Sequence, residues 1–432
     1  MADINDIIHL LRRTEFIARP ARVTELTPLT LDAAVDNILD IAPNQPVNQP
    51  VYVHDSSTNW TQRLQFHDWW IDRMATAPRP FQEKMTLFWH GHFVTEWLQS
   101  ERTDFMAQNI GLYRTHALGM FRPFTHAMAK DTQMMIYLSN RFNVKGTPNE
   151  NFGRELLELF TLGVGNYTEE DVLSCARAWT GHNLNSANQY TFYPTKHDTG
   201  MKTFFGVSRN WDGPEIIDEI LLNNAAKQLV SAKYITRQLW EFLAYPNPAQ
   251  GIVDALAADF VASDLNIRTL CRAILLRPEF YSTEARQGLV RSPVEFSVAI
   301  RAHSGVPARN LQISDWSIQM GQRLLDPPNV AGWKQNGYYL STSSLSARAN
   351  VAKRAASQIR AGGNFDSLRT ATAETAVDTV ANYFGLSLAP TTRAALVSGF
   401  TSETRAVGGS ASTAVTNLFV AMLLTGEMNA PT

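Results

Sequence analysis

Two histidines separated by one glycine are the first candidates for chemistry in this sequence, in the segment Trp89-His90-Gly91-His92. On an ideal helix, side chains two positions apart point roughly 200° from each other, whereas in an extended segment they share a face. Because Gly91 weakens a helix, a local departure from helical geometry would let His90 and His92 bind one Zn²⁺, Fe²⁺ or Mn²⁺ ion. The alternative is two hydrogen-bonded histidines at a helix end, stacked on tryptophan. We predict His90 and His92 as metal ligands, with Trp89 contacting substrate.

The second candidate is one helical segment that carries a pair of carboxylates. Glu155 and Glu158 are three residues apart and share a helical face, and Arg154 precedes Glu158 by four and can pair with it. Two carboxylates on one face provide a catalytic acid and base, or further metal ligands. The alternative is a buried Arg–Glu network that locks helices together. Asn149 and Asn151, at the start of this helix, are predicted to bind substrate.

A glycine-containing loop supplies the third candidate. His197 and Asp198 are adjacent, and Lys202 follows beyond Gly200. Loops carry functional residues more often than helices and strands do. His197 is therefore a candidate base or metal ligand, with Asp198 beside it, and Lys202 is a candidate for binding a phosphate or carboxylate. The alternative is a solvated turn without chemistry.

The fourth candidate is the segment Asp326–Trp333, in which two prolines and a glycine predict a rigid turn. Such a turn can present Asn329 or Trp333 to a cleft, and Tyr338 extends the aromatic surface on which a sugar or another planar ligand could stack. A purely structural turn is the alternative.

The overall charge excludes some classes of partner. The chain has 432 residues, with 38 Lys and Arg against 40 Asp and Glu. This balance gives no electrostatic reason to expect nucleic acid as a partner. No segment reaches the 18 or so apolar residues of a membrane-spanning helix, and the N-terminus has acidic residues early and lacks the apolar core of a secretory signal. We expect a soluble, cytoplasmic protein.

Helical periodicity dominates the chain and predicts a mainly α fold, a multi-helix globular bundle with long ordered loops. The periodicity is lost between residues 181 and 212, which we interpret as a loop insert with room for one short β-hairpin. We predict a main helical domain over residues 1–360 and a C-terminal helical subdomain or extension over residues 361–432, with a weak boundary near Gly362 and Gly363.

Five sequence blocks together resemble the bacterial family catalogued as domain of unknown function 1800. The blocks are KMTLFWHGHF (Lys84–Phe93), LYRTHALGMFR (Leu112–Arg122), the stretch from Asn149 to Gly181, KHDTGMKTFFG (Lys196–Gly206) and the stretch from Leu324 to Asn350. The resemblance covers about residues 9–350. It implies a mostly helical fold and no particular reaction. This chain departs from the family pattern at His182, where relatives tend to have tryptophan after the Thr-Gly pair.

Two functions remain open from the sequence. The first is an enzyme, dependent on one divalent metal ion, that acts as a hydrolase or oxidoreductase in a cleft lined by His and Glu. The second is a binding or interaction protein without catalysis, whose aromatic cleft holds a polysaccharide, a lipid or a protein partner. In either case a small molecule or glycan is the expected ligand.

Overall fold

The computed structural model describes residues 1–41, 47–361, 365–405 and 411–429, and these are predominantly helical. The helices in the first half are α1 Ile4–Thr14, α2 Pro20–Leu26, α3 Leu31–Leu39, α4 Asn59–Thr76, α5 Pro80–His92, α6 Thr103–His116, α7 Phe121–Ala129, α8 Thr132–Tyr137, α9 Asn151–Glu155, α10 Glu169–Ala178 and α11 Gly213–Asp218. Those in the second half are α12 Ala225–Leu243, α13 Gln250–Ala262, α14 Ile267–Leu276, α15 Thr283–Gln287, α16 Pro293–Ser304, α17 Ala308–Leu311, α18 Ile313–Met320, α19 Thr342–Ala361, α20 Ala373–Tyr383, α21 Pro390–Arg405, α22 Ala411–Leu423 and α23 Gly426–Asn429. The mainly α prediction is confirmed.

Two of these helices continue without a break into π-helical turns. Leu156–Leu162 follows α9, and Glu219–Asn223 follows α11. A π-helix is wider than an α-helix because its hydrogen bonds span five residues, and such turns are rare and frequently adjoin functional sites. The first of them ends at Gly163, whose φ of +80° stops the helix.

The strands are confined to the segment that loses helical periodicity. β1 (His182–Leu184) pairs antiparallel with β2 (Tyr190–Phe192), and β3 (Lys202–Phe204) pairs antiparallel with β4 (Val207–Arg209). The insert predicted over residues 181–212 therefore holds two short hairpins, where the sequence pattern indicated one.

Helix α5 lies at the centre of the packing. Every residue of this helix except Gly91 is buried, and it packs against α1, α4 and α6. A helix buried on all sides must satisfy each of its polar side chains internally, because an unpaired buried polar group costs free energy. Most of its polar atoms have fixed partners, which position much of the surrounding structure, whereas Nδ1 of His90 has none among the described residues.

The carboxylate of Glu83 is the most deeply paired of these groups. It has no exposed surface and accepts hydrogen bonds from Trp70 Nε1 (3.0 Å), Arg73 Nε (3.2 Å) and Arg114 Nε (2.8 Å). Although burial opposes ionisation, Arg114 and then Arg73 hold the pKa of Glu83 below its ordinary value. One carboxylate thereby joins α4, α5 and α6.

The C-terminal helices pack on the same body. Helix α19 contacts α16, α18 and α22. The backbone of Arg291 donates to the carbonyl oxygen of Asn429, and Arg348 Nη1 donates to the side-chain oxygen of Asn429, each at 2.7 Å. The division at residue 360 stays a prediction, and the boundary at Gly362 and Gly363 lies outside the described residues.

No helix in the described part of the chain is long and apolar enough to cross a membrane.

We expect Glu83→Gln to destabilise the fold by about 3–5 kcal/mol, since it leaves the buried guanidinium of Arg114 and the partly buried guanidinium of Arg73 without their counter-charge. Urea unfolding followed by circular dichroism measures the change. The control is Glu169→Gln, which breaks an ion pair between exposed side chains and is expected to leave the unfolding midpoint nearly unchanged. Equal midpoints for both variants would show that the Glu83 network does not hold the helices together.

Candidate functional site

A cleft of about 270 Å³ opens beside the C-terminal end of α5. It lies between α5, α12, the start of α16 and the irregular segment from Gln322 to Tyr339. Its walls combine aromatic and carboxamide side chains with two carboxylates. The lining residues are Leu87, Phe88, Gly91, His92, Leu159, Tyr234, Gln238, Glu241, Phe242, Leu289, Val290, Ser292, Glu295, Gln322, Val330, Ala331, Trp333, Gln335, Asn336 and Tyr339.

One wall of the cleft depends on a close approach between two glycines. Gly332 has a φ of +78°, and a Cβ atom added to it would lie 2.6 Å from the carbonyl oxygen of Gly91. Only glycine allows the turn to approach α5 this closely. The approach places the Trp333 ring against His90, with ring centroids 5.1 Å apart, and Trp333 faces the cleft as the sequence suggested.

His90 joins α5 to the segment that leads into this turn. Its Nε2 accepts a hydrogen bond from the backbone N–H of Leu325 at 3.1 Å, and its ring contacts Trp70 and Trp333. Burial lowers the pKa of His90 to about 3, so the imidazole is neutral at physiological pH. A neutral ring that accepts at Nε2 carries its proton on Nδ1.

His92 joins α5 to the π-helical turn and to α12. Its Nε2 lies 3.0 Å from the carbonyl oxygen of Phe160, and its Nδ1 lies 2.7 Å from the side-chain amide of Gln238. Burial lowers the pKa of His92 to about 4. The atom placed at Nδ1 is Gln238 Oε1, so two acceptor oxygens face a ring that has one N–H when neutral. Nε2 donates to Phe160, and Nδ1 accepts once the Gln238 amide is turned so that its NH₂ group replaces Oε1.

The metal interpretation of the His-Gly-His segment required the chain to leave helical geometry, and it does not. Helix α5 continues through His92, and the two imidazoles bind partners on different elements. Among the described residues, neither His90 nor His92 belongs to a group of three or more potential ligand atoms lying within 4.8 Å of one another. The arrangement matches the alternative of two hydrogen-bonded histidines at the end of a helix.

One of the two carboxylates that line the cleft belongs to an ion pair. Lys84 of α5 pairs with Glu295 of α16, and its ammonium lies 5.2 Å from the ring centre of Phe16 and 4.8 Å from that of Phe242. Burial opposes ionisation of Glu295, and the Lys84 charge more than offsets it, so the pKa of Glu295 is lowered. Sequence reasoning missed this pair because its members are 211 residues apart.

Three other residues that we predicted as substrate contacts lie elsewhere. Trp89 is completely buried, and its Nε1 donates to the carbonyl oxygen of Ala117 at 3.0 Å. Asn329 accepts from the backbone of Ala331 within its own turn. Tyr338 is 57 % exposed and does not line the cleft.

The predicted carboxylate pair adjoins the cleft through the π-helical turn. Burial and the charge of Glu158 raise the pKa of Glu155 to about 7. Glu158 accepts a hydrogen bond from the hydroxyl of Tyr167. Arg154 does not pair with Glu158, contrary to our expectation, and instead binds Glu169 at 2.8 Å and also Glu150. The wider π-helical turn begins between Arg154 and Glu158, so residues four apart no longer stack.

The two asparagines that precede this pair have a local role. Asn149 Oδ1 accepts from the backbone N–H of Asn151 at 3.0 Å, and the Asn149 backbone donates to Asn143 Oδ1 at 2.9 Å. Together they shape the turn into α9. Neither residue lines the cleft.

The third candidate segment separates into two parts. Asp198 pairs with Arg177 at 2.7 Å, and Lys202 is buried, donating to Asn210 Oδ1 at 2.8 Å and to the carbonyl oxygens of Asp198 and Gly200. Burial lowers the pKa of Lys202. These contacts hold the loop in its conformation. Of the three residues predicted in this segment, only His197 lies beside potential ligand residues elsewhere in the described chain.

His197 lies close to two residues that we did not predict as partners. One ligand atom from each of His182, His197 and Asp212 lies within 4.8 Å of the other two, which makes a possible His/Asp cluster. The sequence did mark His182, as a departure from the family pattern. Asp212 carried a weaker signal, since it precedes Gly213 and Pro214 at the start of a helix.

We expect Gly332→Ala to move the Trp333 turn away from α5 and to cost about 1–3 kcal/mol, because the added Cβ meets backbone and the φ is unfavourable. Urea unfolding monitored by tryptophan fluorescence measures both effects. Gly337→Ala is the matched control, since a Cβ there has no atom within 4 Å. Identical unfolding curves for the two variants would contradict this account of the wall.

Comparison with known proteins extends the family match beyond Asn350, the last residue of the resembling blocks. A family model described as a protein of unknown function, DUF1800, matches residues 9–428. No curated protein and no solved structure matches the chain. Since the matched region is nearly the whole sequence, the chain belongs to the DUF1800 family.

Proposed function

We propose that the cleft beside α5 binds a small, neutral, hydroxyl-rich ligand of the saccharide class. The observation that carries the proposal is the composition of its walls: aromatic rings and carboxamides face one space, and none of the described lining residues is lysine or arginine. Clefts that bind small molecules are mainly apolar with a few well-placed polar groups. A volume of about 270 Å³ suits one or two sugar rings.

The aromatic side chains supply flat apolar surfaces at two sides of the cleft. Phe88 lies on α5 and Trp333 on the facing turn. A pyranose ring has an apolar face of C–H groups that packs on such surfaces, and large rigid aromatic rings lose little entropy in doing so. The absence of a cationic side chain from the described lining disfavours phosphorylated and carboxylated ligands.

The polar groups are held in place by the protein itself. Asn336 accepts from the backbone N–H of Val290 at 2.8 Å and donates to the carbonyl oxygen of Gly288 at 2.9 Å. Gln322 accepts from the backbone N–H of Val294 at 3.0 Å. A site whose polar groups are already fixed loses less entropy when it binds.

The hydroxyl of Tyr339 also supports a polar ligand. Tyr339 lines the cleft, and its hydroxyl is buried without a hydrogen-bond partner among the described residues. A buried hydroxyl without a partner is unfavourable. A ligand hydroxyl in the cleft would satisfy it.

We expect Trp333→Ala to weaken the binding of a neutral disaccharide about 30-fold, the effect of losing one central aromatic contact of about 2 kcal/mol. Saturation-transfer NMR with cellobiose, maltose and N,N′-diacetylchitobiose identifies the bound sugar, and titration of the NMR shifts gives the affinity.

Tyr338→Ala is the matched control, because Tyr338 is an exposed aromatic residue of the same segment that does not line the cleft. It is expected to bind like the unmodified protein. Equal losses in the two variants, or no saccharide bound by the unmodified protein, would contradict the proposal.

A second candidate function is hydrolysis of the bound ligand, favoured by the raised pKa of Glu155. A carboxyl with a pKa of about 7 is about half protonated near neutral pH and can act as a general acid. Leu159, on the same π-helical turn as Glu158, lines the cleft, and Tyr234 of the cleft donates to the Leu159 carbonyl oxygen at 3.1 Å. Under this function, Glu155→Gln abolishes turnover and keeps binding.

The interaction between Glu155 and Glu158 can be measured without a substrate, through the pKa of Glu155. Since the Glu158 charge contributes to the raised pKa of Glu155, Glu158→Gln is expected to lower that pKa from about 7 toward its ordinary value. Carbon-detected NMR titration of glutamate carboxyls measures it. Glu170→Gln, an exposed carboxylate of α10, is expected to leave it unchanged. An unmoved Glu155 titration in Glu158→Gln would show that the two groups do not interact.

A further inference from the structure

We propose that His182, His197 and Asp212 form a binding site for one divalent transition-metal ion of the Fe²⁺ to Zn²⁺ series. The site lies in the hairpin insert and involves none of the residues that line the cleft. Two imidazole nitrogens and one carboxylate oxygen are a ligand set that zinc and non-haem iron share.

The spacing of the ligand atoms fits a small ion. The three atoms lie within 4.8 Å of one another. An ion about 2.1 Å from each atom in a tetrahedral arrangement needs them about 3.4 Å apart. An ion would therefore need His182 Nε2 and Asp212 Oδ1, now 2.8 Å apart, to separate by about 0.6 Å, a change within the reach of side-chain rotation.

His197 is oriented as a metal ligand is. Its Nδ1 lies 2.8 Å from the carbonyl oxygen of Thr180, to which it donates, so the lone pair is on Nε2. Metal-binding histidines usually donate their second ring N–H to a carbonyl or carboxylate in this way, which fixes the tautomer. Gly181 permits the approach, since a Cβ there would lie 2.7 Å from the Tyr193 carbonyl oxygen and 3.1 Å from His197 Cβ.

His182 also has a hydrogen-bond partner, on the ring nitrogen that does not bind Asp212. Its Nδ1 lies 2.7 Å from the hydroxyl of Tyr190. Without an ion, Nε2 donates to Asp212 and Nδ1 hydrogen-bonds the Tyr190 hydroxyl. When an ion replaces the proton between His182 and Asp212, that proton moves to Nδ1 and the ring donates to the Tyr190 oxygen. The hydroxyl can serve either state because it both donates and accepts.

The surroundings separate the ion from water on one side and leave it open on the other. His182 and His197 are buried, with His182 packed on Trp179 and Phe192 at ring-centroid distances of 4.8 and 4.7 Å. The Asp212 side chain is 42 % exposed. Three protein ligands leave a tetrahedral ion one position for water or a substrate atom on this side.

The test is calorimetric titration of the full chain, purified without a histidine tag, with ZnCl₂. We expect one Zn²⁺ ion per chain, bound about 100-fold more weakly by Asp212→Asn and by His197→Ala. Asp198→Asn is the matched control, because this carboxylate is adjacent to His197 in the same insert but pairs with Arg177. It is expected to bind Zn²⁺ like the unmodified protein. Circular dichroism melting confirms that each variant is folded.

Tyr190 is a positioning residue, so its substitution tests the site without removing a metal ligand. Tyr190→Phe is expected to weaken Zn²⁺ binding about 10- to 100-fold, the usual effect of losing a partner of a ligating histidine, while the absorption spectrum of bound Co²⁺ stays tetrahedral. No Zn²⁺ bound by the unmodified chain, or equal affinities in Asp212→Asn and Asp198→Asn, would overturn the proposal. Saccharide binding in the cleft is a separate measurement, so either proposal can fail alone.

Discussion

The pairing of one carboxylate inside a completely buried helix is the interaction on which the rest of the structure depends. Every residue of α5 except Gly91 is buried, so its charged side chains are shielded from water and pair with protein groups. Glu83 binds Arg73 and Arg114, and Lys84, the next residue, binds Glu295. These partners come from α4, α6 and α16. The pairing therefore determines which helices surround α5 and in what orientation.

The same requirement explains what the two histidines of α5 do. Each is buried and neutral, and each binds a backbone group of a distant segment: His90 accepts from Leu325, and His92 donates to Phe160. Through these bonds the end of α5 holds the Trp333 turn on one side and the π-helical turn on the other. The cleft is the space left between these two segments. The histidines are thus part of its framework, which is a different role from binding an ion between them.

Local patterns in the sequence were sufficient for the mainly helical fold, because helical periodicity depends on residues three and four apart. They left open whether Asn329 or Trp333 is presented to a cleft, and in the structure Trp333 lines one. They failed where the deciding contact was distant or the helix was irregular. Glu295 is 211 residues from Lys84, and a π-helical turn separates Arg154 from Glu158. No spacing rule for an α-helix could predict either result.

The position of His182 and His197 shows why metal chemistry suits the insert better than the central helix. In α5, both nitrogens of His92 and the Nε2 of His90 already hold backbone and amide groups, and giving one of these to an ion would leave a buried polar group unpaired. In the insert, the backbone and tyrosine partners bind only the outer nitrogens, Nδ1 of both rings. The inner nitrogens face each other and a carboxylate, so an ion there replaces one hydrogen bond and breaks no contact that the fold requires.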